Sequence, residues 1–193
     1  ARESLRKDNP KAQFRYPGTC RHRKDRPDAP YVVRFNMEAV QREAVTYRDL
    51  VFGEITTPNR EQQDFVLLRS DGVPLYNFGV VIDDLTMGID LVMRGRDHMV
   101  NTPPQILLYE ALGVKPPTFA HLPMMLSPKG EKLSKRHGAV SVSEYEKMGY
   151  TPGAVLNYLA RFGWSCGDQE IFSLEELVDK FSFESLNRSD GRF

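Results

Sequence analysis

Apolar positions change rhythm along the chain, and the changes mark three sections. Residues 1–63 are polar and arginine-rich, interrupted by Pro10, Pro17, Pro27, Pro30 and Pro58. Their short apolar runs, Tyr31–Phe35 and Asp49–Gly53, read as strands of a small, mostly β insertion. Between 64 and 126 strand and helix signals alternate. Asp64–Arg69 and Val73–Phe78 flank the turn Ser70-Asp71-Gly72 and predict a hairpin. Asp90–Arg94 and Phe119–Pro123 predict strands, and between them Thr102 caps a helix with Pro103 at its first position and Gly113 just past its end. Strand, helix, strand in that order predicts a parallel βαβ unit. From 141 onward the pattern is helical: Ser141 with Glu144 and Ser173 with Glu176 spell capping boxes, and Thr151-Pro152 opens a helix carrying Leu156, Leu159 and Phe162. The fold class expected from this order is α/β, with a helical subdomain at the end.

Length adds that 193 residues make one large domain or two small ones. With 40% hydrophobic and 27% charged residues, the disordered, collagenous and fibrous classes drop out. No uncharged stretch approaches the roughly 18 residues of a membrane helix, and Ala1–Lys7 carries charge without an apolar signal region. Two cysteines, Cys20 and Cys166, exclude a disulfide scaffold and fit a reducing, cytoplasmic compartment with no membrane partner. The chain has no initiating Met and no terminating pattern, so the expectation is an internal piece of something longer.

Net charge is zero but segregated: +6 over residues 1–48, −5 over 49–128, +2 over 129–147 and −3 over 161–193. That leaves room for local contact with a polyanion. The densest chemistry is Lys129-Gly-Glu-Lys132-Leu-Ser134-Lys135-Arg136-His-Gly138, three lysines and an arginine within eight residues, with glycines at 130 and 138. A loop of this kind either sets ammonium groups against phosphates, as phosphoryl or nucleotidyl transfer requires, or is an exposed basic hairpin. No Walker pattern occurs.

Lys132-Leu-Ser-Lys-Arg136 resembles the lysine-serine-lysine signature loop of class I aminoacyl-tRNA synthetases. Asp64–Phe78, Val81-Ile-Asp-Asp84, Arg94-Gly-Arg-Asp-His98, Asn101-Thr-Pro-Pro-Gln105 and Gly167–Ser173 resemble bacterial glutamyl-tRNA synthetase in order and spacing, over essentially the whole chain. The resemblance implies ATP-dependent attachment of glutamate to tRNA through a glutamyl-adenylate, with ATP and Mg2+ as substrate. It also implies a layout: 1–79 the later part of a mixed α/β inserted domain that binds the tRNA acceptor end, 80–126 the second half of a Rossmann-type catalytic domain, and 127–193 the loop and a helical stem-contact subdomain.

Arg94 ends a predicted strand, where open α/β sheets bind ligands, and its guanidinium fork suits a carboxylate. The resemblance places it on the side chain of substrate glutamate, where a fixed positive charge favours glutamate over glutamine. Read without the family, it is a strand-end arginine paired with Asp90 or Asp97. By resemblance Tyr76 lines the amino-acid pocket, Asp97 meets the ATP ribose, His98 lines the nucleotide side and Met124 and Met125 form an adenine shelf. Packing, capping and core roles remain open for the same residues. Lys135 is expected to follow charge onto departing pyrophosphate, assisted by Lys132 and Arg136, with Ser134 a hydrogen-bonding rather than nucleophilic loop residue. Cys20 and His22 resemble the second half of a structural zinc site found in some members, or are a free thiol beside a surface histidine. Arg15, Arg21, Arg23, Lys24 and Arg26 lie where the resemblance puts the acceptor end. Two other readings stand beside the ligase: the short paralogue that glutamylates a modified base in tRNA-Asp, and a non-catalytic tRNA-binding module. With the histidine signature of the family absent from this stretch, the chain alone is expected to be inactive.

Overall fold

A computed structural model describes residues 15–25, 27–127, 129–131 and 141–192. In chain order the strands are β1 (Val33–Arg34), β2 (Ala44–Asp49), β3 (Gly53–Pro58), β4 (Val66–Leu68), β5 (Leu91–Gly95), β6 (Thr118–Leu122), β7 (Met125–Leu126) and β8 (Gly191–Arg192). The helices are α1 (Tyr76–Met87), α2 (Thr102–Ala111), α3 (Val142–Lys147), α4 (Pro152–Ala160) and α5 (Leu174–Lys180). The chain forms two compact units, one from Ala1–Thr46, Thr56–Gly88 and Pro103–Val114, the other from Tyr47–Ile55, Ile89–Thr102 and Lys115–Phe193.

The first unit is built around Val81 of α1 and Leu108 and Tyr109 of α2, with Phe35, Phe65, Leu67, Phe78 and Val114 packed against them. Phe35 and Phe65 stack with centroids 5.0 Å apart, beside the antiparallel β1–β4 pair. Each such side chain taken out of water contributes about 1.5–3 kcal/mol. The hairpin expected over 64–78 forms but is short: Arg69 and Leu75 donate backbone bonds to Val73 and Leu67, and from Tyr76 the chain is helical rather than extended. Leu75, still extended, is the helix N-cap, and Phe78 and Val81 turn their apolar side chains to the core at helical spacing.

The second unit holds most of a four-stranded sheet in the order β3-β2-β6-β5. β6 pairs in parallel with β2 and with β5, at the registers Asp49↔Phe119 and Arg94↔His121. The expected β5-α2-β6 order is therefore present as a parallel unit. The strand expected at Asp49–Gly53 is not: β2 ends at Asp49 and Leu50–Phe52 turn into β3. The reason is local, since Asp49 Oδ1 accepts from the backbone N–H groups of Val51 and Phe52, 3.0 and 2.9 Å away, which closes a turn in place of an extended run.

The helical part behaves as its caps predict. Both capping boxes are present, Thr151 accepts from Ala154 N, and Pro152 begins α4. Trp164 is buried edge-on against Phe172 at 5.1 Å. β8 pairs in parallel with β7, and Asp190 just before it binds Arg96 at 2.6 Å and the backbone N–H of Met124 at 2.8 Å. No helix among the described residues is long and apolar enough to cross a membrane.

Candidate active site

Three neighbouring parallel strands carry, near their own carboxyl ends, Asp49 (β2), His121 (β6) and Arg94 (β5); β5 and β6 end level with each other, and β2 ends opposite Phe119. This edge is where open α/β sheets bind ligands. Asp49 and His121 are fully buried, as is Thr102 at the start of α2. A buried carboxylate is costly unless its lone pairs are filled, and here four donors fill them. Val51 N, Phe52 N, His121 N and the His121 imidazole Nδ1, the last at 2.6 Å, all point at Asp49. Burial alone would push the Asp49 carboxyl up, but the bonds from His121, Phe52 and Val51 outweigh it and hold the group below the usual carboxylate range.

On the far side of the ring His121 Nε2 lies 3.2 Å from Arg94 Nε, and Arg94 Nη2 donates to Thr102 Oγ1 at 2.7 Å. Arginine N–H groups can only donate, so Nε2 is the acceptor and the single ring proton sits on Nδ1, facing Asp49. The Arg94 Cζ also lies 5.7 Å from the centre of the Phe119 ring. Nε and Nη2 form one edge of the guanidinium, and that edge is spent on His121 and Thr102. Among the described residues no hydrogen bond engages Nη1, so the terminal fork of Nη1 and Nη2 is the part left for a carboxylate. The alternative pairing of Arg94 with Asp90 or Asp97 does not form among these contacts.

Thr102 was expected to cap a helix. Its hydroxyl instead anchors Arg94, and its buried position follows from that role. Beside it Tyr47 keeps its hydroxyl buried, with the Thr102 hydroxyl beside it and no hydrogen bond of good geometry among the described residues, and burial pushes the phenol up to about 12, only partly offset by Thr102 and the Arg94 charge.

Asp97 and His98 sit together in the 3-10 turn Arg96–Asn101 that follows Arg94, with His98 Nε2 4.0 Å from Asp97 Oδ2 and Nδ1 3.3 Å from Asn101 Nδ2. Gly95 makes this turn tight: a Cβ there would lie 2.6 Å from Asp97 Oδ1. Met125, in β7, is partly exposed and lines an apolar cleft of about 540 Å³ with Met93, Leu122, Met124, Trp164 and residues of α4 and α5. Arg94, Asp97, His98 and Met125 thus all belong to the second unit, whereas Tyr76 opens α1 in the first, half-exposed. Lys132, Ser134, Lys135 and Arg136 lie outside the described residues.

Cys20 and His22 are exposed, and His22 Nε2 faces Glu38 at 3.4 Å. Among the described residues no three His, Cys, Asp or Glu side chains gather where they could hold a metal, so the pair stands two ligands short of a zinc site. The basic cluster is largely spent within its own unit: Arg15 donates to the carbonyls of Arg60 and Gln62, Arg21 to Asp64 and Glu38, and Arg23 to Asp25.

Sequence reasoning singled out Arg94 but missed Asp49 and His121. The available signal was a polar residue inside the apolar strand Phe119-Ala-His-Leu122, which burial makes costly without a partner.

The model of the family "tRNA synthetases class I (E and Q), catalytic domain" matches residues 1–192. A glutamate–tRNA ligase of Anaeromyxobacter sp. (strain K) is 56% identical over 183 residues, covering 95% of this chain and 38% of its own length. That of Syntrophotalea carbinolica is 50% identical over 193 residues, or 100% of this chain and 41% of its own. Among solved structures, a glutamate tRNA ligase from Elizabethkingia meningosepticum in complex with its amino acid superposes with a TM-score of 0.75 at 34% identity, over 85% of this chain and 36% of that one. The chain therefore spans about two fifths of the length of the relatives it matches.

Proposed function

Because the chain belongs to the catalytic-domain family of the class I tRNA synthetases for E and Q, we propose that a full-length ligase carrying it attaches glutamate to tRNA, in the cytoplasm, with ATP as second substrate. In this reading an oxygen of the glutamate α-carboxylate attacks the α-phosphorus of ATP and pyrophosphate leaves with its electron pair. A terminal hydroxyl of tRNA then attacks the acyl carbon and AMP leaves. Residues 1–79 meet the acceptor end, 80–126 belong to the nucleotide fold and 127–193 meet the stem. Mg2+ accompanies ATP and offsets phosphate charge.

The observation that carries the reading is the state of Arg94 at the carboxyl end of β5: the Nε/Nη2 edge tied to His121 and Thr102, and Nη1 without a hydrogen bond among the described residues, so that Nη1 and the second Nη2 proton are left as a fork. A fork offers two parallel N–H donors to the side-chain carboxylate of glutamate, and finds only one acceptor on the amide of glutamine. Asp97 and His98, one turn away, take the ribose side of ATP, Met125 the base, and Lys132, Ser134, Lys135 and Arg136 the phosphates.

The test is aminoacylation by the full-length ligase with glutamate and glutamine in parallel. Arg94→Ala removes a charged two-point contact and is expected to raise the KM for glutamate about tenfold to a hundredfold. Lys135→Ala is expected to slow adenylate formation with little change in that KM. Unchanged kinetics in both variants, or a preference for glutamine in the unmodified ligase, would overturn the assignment.

A further inference from the structure

We propose that His121, held in one tautomer by Asp49, is a positioning residue for Arg94, and that together with Thr102 it sets which edge of the guanidinium reaches the substrate. The inference rests on the reading of Arg94 as the glutamate-side-chain contact and deepens it. An arginine has five donors and can offer a carboxylate either its Nε/Nη2 edge or its terminal fork. Specificity requires one of them to be fixed, because a guanidinium free to rotate loses orientation in the bound state.

The geometry supplies the fixing. His121 is wholly enclosed and its ring is oriented from behind by a 2.6 Å bond from Nδ1 to Asp49 Oδ2. Asp49 is itself immobilised by the N–H groups of Val51, Phe52 and His121. With the proton on Nδ1, the Nε2 lone pair can receive Arg94 Nε at 3.2 Å, and Thr102 Oγ1 receives Nη2 at 2.7 Å. Thr102 Oγ1 lies 3.2 Å from the same Nε2, so the two anchors are in contact with each other. Reversing the tautomer would aim an N–H at an N–H and release the arginine. Asp49 thus acts on Arg94 through the ring without touching it.

The experiment uses the full-length ligase and steady-state kinetics in glutamate and in ATP. His121→Asn keeps a donor near Nδ1 for Asp49 but places no acceptor at Nε2, whereas His121→Gln restores an acceptor at that distance. His121→Asn is expected to raise the KM for glutamate about tenfold, with kcat and the KM for ATP changed less than twofold, and His121→Gln to recover most of the loss. Thr102→Val, which preserves shape, should raise the same KM by a smaller factor and Thr102→Ser should restore it. In Arg94→Ala, adding His121→Asn should have no further effect, since the ring acts only through Arg94. If Arg94→Ala raises the glutamate KM while His121→Asn and Thr102→Val leave it unchanged, the positioning role is wrong and the Arg94 assignment survives. If His121→Asn lowers kcat and raises both KM values alike, its role is general support of the fold and the inference again fails. If Arg94→Ala itself leaves the glutamate KM unchanged, the assignment of Arg94 falls first. Should His121→Asn not fold, the Thr102 pair decides the matter alone.

Discussion

At the scale of single residues the site is a set of buried polar groups that differ in how well they are satisfied. Tyr47 is the least satisfied of those described, its hydroxyl enclosed with only the Thr102 hydroxyl beside it while its ring meets Phe119 edge-on at 5.8 Å. Tyr47→Phe keeps the ring contact and removes the stranded hydroxyl, so urea denaturation should find it equal to the parent or more stable by up to about 1 kcal/mol. The phenol is raised to about 12 against about 10 in an unfolded chain, so the folded state holds the proton longer. Stability should therefore fall between about pH 10 and pH 12 as the unfolded form ionises first, and Tyr47→Phe should flatten that limb. Asp49 has the opposite sign. Its folded-state pKa is depressed, so its contribution is complete above the unfolded value of about 4 and is lost as pH falls through the folded one. Asp49→Asn should cost about 1.5–3 kcal/mol at neutral pH and lessen the acid-limb loss below about pH 4, both read from denaturation curves across pH. Arg94 was legible from its place at a strand end, but its partners were not. Asp49 and His121 are separated by 72 positions, and no local pattern marks two residues that only a parallel strand pairing brings together.

At the scale of elements, the helix-start signals were read correctly. The capping boxes at Ser141 and Ser173 and the Pro-first start of α4 needed no tertiary context, and all three are present. Ser173→Ala should cost about 1 kcal/mol in thermal or urea unfolding, because the N–H of Glu176 then loses its acceptor. Two elements were misread: the apolar run from Asp49 is a turn closed by its own carboxylate, and Tyr76 begins a helix where the hairpin strand was expected to continue. The 3-10 turn after β5 shows the cost of tight local geometry. A methyl group at Gly95 would sit 2.6 Å from Asp97 Oδ1, inside van der Waals contact, so Gly95→Ala must displace that carboxylate. If Asp97 meets the ATP ribose, Gly95→Ala in the full-length ligase should raise the KM for ATP severalfold while the KM for glutamate changes less than twofold. An unchanged ATP requirement would remove Asp97 from the nucleotide side.

At the scale of the molecule, the second unit presents surfaces that isolated soluble domains seldom leave open. β5 lies at the edge of its sheet with Met93 49% exposed, and parallel sheets normally have both faces and edges covered. The apolar cleft of about 540 Å³ beside it is flanked by exposed Val178, Leu174 and Phe181. The relatives that share this stretch are about two and a half times as long, which gives ample further chain for such surfaces. Expressed alone, the 193 residues should associate with rising concentration in light scattering, and the full-length ligase should not. Catalysis follows the same logic. Glutamyl-adenylate formation needs glutamate, ATP and Mg2+ held in one attack geometry, and misplacement by about 1 Å can cost a hundredfold. On the assignment of Arg94 proposed above, a chain spanning 38–41% of its relatives that fixes Arg94 through His121 and Thr102 holds one end of one substrate. Glutamate-dependent exchange of pyrophosphate into ATP should therefore be absent from the isolated chain and present in the full-length ligase. Exchange by the 193 residues alone would mean that the groups gripping the glutamate amine and the ATP phosphates all lie within them.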